Sequence, residues 1–166
     1  MSIKKLMGVI CLSLFFSVAV RADSPHFIDN QTHVHPDGIN LEVCFKEAGL
    51  GDNQLINYEA SAEAAATYAC INGGGNHPKA RNKETVEGPV EASDTFDSGQ
   101  NGQIIQCLTL MPPSAGDFSC PNGQTLVLAC VEYSNVMITD TTNGITVDFE
   151  GEFFALDPDF GQLCDL

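Results

Sequence analysis

Behind an N-terminal leader the chain carries six cysteines: Cys44, Cys70, Cys107, Cys120, Cys130 and Cys164. An even number of thiols in an exported chain reads as a disulfide framework, because oxidising compartments let such bonds form and persist. No C-x-x-C pair occurs, so neither a thioredoxin-like redox site nor a zinc ribbon is supported. Three bridges are expected, each contributing ~2–4 kcal/mol by restricting the unfolded chain. The spacing alone leaves the connectivity open. Cys107 is expected to pair with Cys130, since both fall in strand-like runs, and Cys164 to tie the tail to the body.

The leader occupies residues 1–22. Lys4 and Lys5 precede an apolar run from Leu6 to Val20, and Val20 and Ala22 form a small-residue cleavage site. The run is too short to span ~30 Å of hydrocarbon as a helix, so it reads as a signal peptide. Cys11 lies inside the apolar run rather than at its end, which argues against a lipid anchor. The expected destination is secreted or periplasmic, with no membrane span in the mature chain. Cleavage after Ala22 leaves 4 bases against 22 acids, a formal charge of −18. Such a surface repels phosphate backbones, which excludes nucleic acid as a partner.

Residues 23–38 are polar and Pro-containing and read as an N-terminal arm. Residues 39–166 read as a single domain with an acidic C-terminal tail. Ile39, Leu41, Val43 and Phe45 alternate with polar neighbours, a strand pattern. Residues 55–70 favour helix by Ala and Glu propensity. The period-two series Tyr58, Ala60, Ala62, Ala64, Ala66, Tyr68 and Cys70 points instead to a long strand with a small-residue inner face, helix being the alternative. Gly88-Pro89 makes residues 84–98 either an edge strand or a strand that starts only at Val90. Residues 103–111 and 125–133 read as strands, the latter buried on both faces. Asn143-Gly144 marks a hairpin between 135–140 and 144–150. About seven short strands without a strong helix give an all-β fold, a disulfide-stapled immunoglobulin-like β-sandwich.

The segments CFKEAGLG (Cys44–Gly51), ACINGGGNHPKARNKE (Ala69–Glu84) and FSCPNGQTLVLA (Phe118–Ala129) resemble a group of small exported bacterial proteins. The resemblance covers most of the mature chain and implies a β-rich secreted domain. It carries over no activity, ligand or functional residue.

Several clusters are candidates for chemistry. His77, Lys79, Arg81 and Lys83 recur at spacing two, so an extended segment would point all four one way. They form a basic finger suited to an anionic ligand or an unknown protein partner, or else to docking on the protein's own acids. His33 and His35 are candidate metal ligands, with Asp29 or Asp37 as the carboxylate. Asp94, Asp97 and Asn101, and separately Asp157 and Asp159, are acidic groupings without the spacing of a calcium loop. No G-x-S-x-G, H-E-x-x-H or P-loop is present, and no cofactor is called for. The reading is a non-catalytic binding or interaction module. Its rivals are a small secreted hydrolase with an unrecognised acid–base site and an envelope or extracellular structural protein assembling through edge strands.

Overall fold

The computed structural model describes residues 24–72 and 82–164. The signal-peptide reading of 1–22 lies outside them. Nine strands are described: β1 (His26–Phe27), β2 (His33–Asp37), β3 (Asn40–Ala48), β4 (Leu55–Asn72), β5 (Lys83–Asp97), β6 (Gln103–Leu110), β7 (Gln124–Asp140), β8 (Ile145–Phe149) and β9 (Phe153–Leu156). The described helical structure is three single 3-10 turns, at Asp29–Gln31, Gly99–Asn101 and Gly161–Leu163. The fold is all-β, a disulfide-stapled sandwich of two antiparallel sheets. In the first sheet β3 is central, flanked by β6 on one side and by β1 and β2 on the other. The second runs β5-β4-β7, with β8 and β9 both pairing with the far edge of β7.

The strand reading of 55–70 holds, because one face of β4 is buried at every second residue. Ile56, Tyr58, Ala60, Ala62, Ala64, Ala66 and Tyr68 all enter the core. A helix would have scattered these side chains around its axis. The inner face is narrow in the middle, so volume comes from its neighbours. Leu41, Val43, Phe45, Ile104, Leu108 and Leu110 fill it from the first sheet, and Val131, Tyr133, Val136 and Ile138 from β7.

The sequence reading divides Gln124–Asp140 into two strands, but it is one strand with two register shifts. Ser61 pairs with Met137 and Glu63 with Ser134, so an extra residue is inserted on β7. Asn135 takes φ 52° there. The bulge brings Tyr133 and Val136 to the same inner face, where strict alternation would have sent one outward. Burial of β7 on both faces is confined to Ala129, Cys130 and Val131; Leu126 is exposed.

The polar arm expected at 23–38 is part of the first sheet. His26 and Phe27 pair with Ala48 and Glu47, and His33 to Asp37 run antiparallel to Cys44 to Asn40. Phe27 and Val34 pack on the core, which outweighs the polar composition around them. Pro89 lies on β5, an edge strand, opposite Glu63 of β4, the kind of position in a sheet that tolerates proline.

The chain crosses from β5 to β6 through residues 98–102. Ser98 is buried; its Oγ accepts from Gln54 N at 2.9 Å and donates to Gly51 O at 2.6 Å. Gly102 sits at φ +59°, and a Cβ there would meet Gly51 backbone at 3.1–3.3 Å. Glycine is required by both conformation and contact.

The disulfides are Cys44–Cys107, Cys70–Cys120 and Cys130–Cys164. All six cysteines are bridged and Cys164 ties down the tail, but Cys107 does not pair with Cys130. Cys107 is the direct register partner of Cys44 across β3 and β6, with Cα atoms 4.0 Å apart, whereas Cys130 lies on the other sheet.

Ala64→Leu should cost about 1–3 kcal/mol by overfilling the inter-sheet space, while Ala65→Leu, one residue on and facing outward, should change stability by less than about 0.5 kcal/mol. Urea unfolding of the two variants measures the contrast.

Candidate functional site

Three places gather chemically active side chains: a buried carboxyl cluster, the outer face of the second sheet, and a histidine pair on the first.

The buried cluster lies at one end of the sandwich. Glu47 on β3 and Asp140 at the end of β7 are both wholly buried. Tyr58 reaches across from β4 and its hydroxyl donates to Glu47 Oε2 at 2.6 Å. The other Glu47 oxygen is buried without a hydrogen-bond partner. Asp140 is saturated by the hairpin that follows it: Oδ1 accepts from Thr142 N and Asn143 N, and Oδ2 from Asn143 Nδ2. Asp140 thereby fastens the Asn143-Gly144 hairpin, with Gly144 at φ 71°. Burial pushes the Glu47 carboxyl up to about 7; the Tyr58 hydrogen bond opposes the rise, and nearby Asp140 adds to it. Burial raises the Tyr58 hydroxyl as well, followed by its hydrogen bond to Glu47 and the charge of that carboxyl, with Asp140 adding least. A perturbed carboxyl often marks catalysis, but Glu47 is wholly buried, without access to solvent and hence none to a substrate.

The outer face of the second sheet carries unneutralised acids. Glu59 and Glu63 on β4, Glu87 and Glu91 on β5 and Glu132 on β7 alternate with the buried inner positions. Glu87 and Glu132 both oppose Ala65, one from each neighbouring strand, and Glu63 lies two residues along. None of the five makes an ion pair or side-chain hydrogen bond among the described residues. The small side chains of Ala65 and Gly88 leave a depression of about 230 Å³ between these acids. It continues into a second of about 450 Å³, walled by Thr67, Lys83, Thr85, Phe154 and the Cys130–Cys164 bridge.

Of the proposed basic finger, His77, Lys79 and Arg81 lie outside the described residues. Lys83 opens β5, and its ammonium donates to the Leu163 carbonyl of the C-terminal turn. In the described part, the finger's last residue serves to hold the tail.

His33 and His35 project from the same face of β2, rings stacked at 5.6 Å. The carboxylate beside them is Glu42, with Oε2 3.4 Å from His35 Nε2. It is neither Asp29, which lies in a 3-10 turn, nor Asp37, at the end of β2. Sequence reasoning missed Glu42 because only strand pairing puts it opposite His35. The ligand atoms of His33, His35 and Cys44 lie within 4.8 Å of one another, though Cys44 is bridged.

The other acidic groupings serve the backbone. Asp94 and Asp97 accept from Thr95 N and Gly99 N, and Asp157 accepts from Asp159 N and Phe160 N. The Asp97 and Asp157 bonds cap turns, and the Asp94 bond is local within β5.

No helix among the described residues is long and apolar enough to cross a membrane. No protein-family model, curated protein or solved structure matches the chain.

Glu47 predicts a pH dependence of stability. Its carboxyl ionises near 4.5 without the fold and near 7 within it. Between those values the folded chain keeps a proton that the unfolded chain releases. Its contribution is therefore fully present below 4.5, falls as pH rises and is lost above 7, by roughly 3 kcal/mol. Glu47→Gln keeps an acceptor for Tyr58 and cannot ionise. It should remove this slope and leave the protein more stable than the wild type at pH 8, measured by urea unfolding at pH 5 and 8.

Proposed function

We propose that this protein is an exported, non-catalytic binding module that holds a cationic segment of a partner protein against the outer face of its second sheet. The observation that carries this reading is the set of five glutamates on three adjacent strands, none of them ion-paired among the described residues, against a single lysine, Lys83, in the wall of the same depression. Like charges on neighbouring strands repel, and a folded surface that retains them gains from a partner that neutralises them. The depression around Ala65 and Gly88 gives lysine or arginine side chains a place to lie between the carboxylates, and Phe154 offers an apolar wall for their stems. The proposed partner is cationic rather than anionic, since Lys83 is turned to the tail and the described outer face carries acids.

Export, whether to the periplasm or the medium, is supported by the signal-like pattern of residues 1–22 and by three disulfides that fit an oxidising compartment. The non-catalytic reading is supported by the sealing of Glu47 and Asp140 inside the sandwich.

A lysine-rich peptide should bind the disulfide-intact protein in fluorescence anisotropy and weaken with added salt, whereas a glutamate-rich counterpart should not bind. The combined variant Glu63→Gln, Glu87→Gln, Glu132→Gln should weaken binding at least about tenfold and flatten the salt dependence. A variant losing the same charge elsewhere, Asp117→Asn with Glu150→Gln and Glu152→Gln, should bind within about twofold of wild type. Equal loss in the two variants would reduce the effect to net charge and overturn the assignment of the face.

A further inference from the structure

We propose that His33, His35 and Glu42 form a surface site for a single divalent transition ion of the zinc class, separate from the acidic face of the other sheet. Two imidazole nitrogens and one carboxylate oxygen make a borderline donor set. It suits zinc, and copper or nickel after it, rather than calcium or magnesium, which take oxygen cages.

One ligand pair of the three already has the spacing such an ion needs. Ligands about 2.1 Å from a tetrahedral centre stand about 3.4 Å from one another. His35 Nε2 and Glu42 Oε2 are 3.4 Å apart. His33 supplies the third ligand from the same face of β2: its ring is stacked 5.6 Å from that of His35, and their ring nitrogens come within 4.8 Å. The three ligand atoms do not all lie within 4.8 Å of one another, so the exposed rings must turn to meet one ion with Glu42. Cys44, opposite His33, is held in the Cys44–Cys107 bridge, so its sulfur is no thiolate and a fourth position is left to water.

The scaffold under the site is held from several directions. His33 and His35 are on a strand paired in register with β3, where Glu42 lies, rather than on a mobile arm. Val34, between the two histidines, packs into the core and keeps both rings outward. The bridge from Cys44 to Cys107 fixes β3 to β6 immediately beside the site. Ligands on strands locked by packing and a crosslink lose little freedom when an ion binds. The acidic charge of the chain raises the local concentration of cations.

The test uses untagged, disulfide-intact protein freed of metal by chelator and titrated with zinc, with cobalt as a spectroscopic substitute. One equivalent of zinc should bind, raise the melting temperature, and compete with a chromophoric chelator. Cobalt should give the intense visible bands of a four-coordinate site. His33→Ala and His35→Ala should each weaken zinc at least about a hundredfold and Glu42→Gln about tenfold, with melting temperatures in the absence of metal unchanged. His26→Ala and Asp29→Asn, on nearby surface, should bind as wild type. Binding that survives loss of both His33 and His35, or the absence of one-to-one binding, would overturn the site. Loss of zinc binding in the glutamine variants of Glu63, Glu87 and Glu132 would move the ion to the acidic face and overturn it equally.

Discussion

The structure depends on the period-two burial of β4. Among the described residues, that strand is the only one hydrogen-bonded along most of its length to long strands on both sides, β5 and β7. Because its even-numbered side chains all point inward, the whole second sheet acquires one apolar face and one polar face. Tyrosines at both ends of the small Ala60–Ala66 stretch then reach toward the first sheet. Tyr58 donates to Glu47, Tyr68 to the Pro113 carbonyl, and Tyr133 from β7 to the Ile39 carbonyl at 3.0 Å. Each contributes a large apolar body to the core and satisfies its hydroxyl on the opposite side. Among the described residues no disulfide joins a strand of one sheet directly to a strand of the other. The bridges fix β3 to β6, the 111–123 crossover loop to β4, and the tail to β7. Apolar burial and three hydroxyl contacts therefore hold the layers together, and sulfur limits the freedom of the segments around them.

The same alternation sorts the charge. On β4 and β5 the positions between the inward ones are Glu, Ser, Thr and Ala, with Asn57 and Pro89, so several acids of a chain with few bases gather on one outer surface. Glu47 is the exception. It occupies an inward position among Leu41, Val43 and Phe45, where its charge costs far more than on the surface. The fold accommodates it by offering the Tyr58 hydroxyl and by raising its proton affinity. This end of the sandwich is thus a polar knot that fixes the position of the β7–β8 hairpin through Asp140.

The two sheets present different chemistry outward. The second offers carboxylates spaced by small residues, which is a surface for extended cationic contact. The first offers imidazoles, one carboxylate and a disulfide within a few residues of each other, which is a point site. The difference follows from strand length. The long β4–β5 and β4–β7 ladders repeat one kind of side chain over many residues, whereas the short β2 brings just two histidines to face β3.

The alternation along 55–70, the edge position of Gly88-Pro89 and the Asn143-Gly144 turn were legible in the sequence because each is local: a period, a missing donor, a positive φ. The sequence by itself determined the all-β class and that all six cysteines are bridged. It left three things to the tertiary structure, and each depends on which strand lies beside which. Cys44 meets Cys107 only because β3 pairs with β6 in that register. Glu42 meets His35, and Glu87 and Glu132 meet across Ala65, for the same reason. The bulge at Asn135 joins what reads as two strands, because only pairing with β4 shows that one residue is in excess. Local pattern fixes the face on which a side chain stands; its neighbours across the sheet come from non-local pairing, which no single segment encodes.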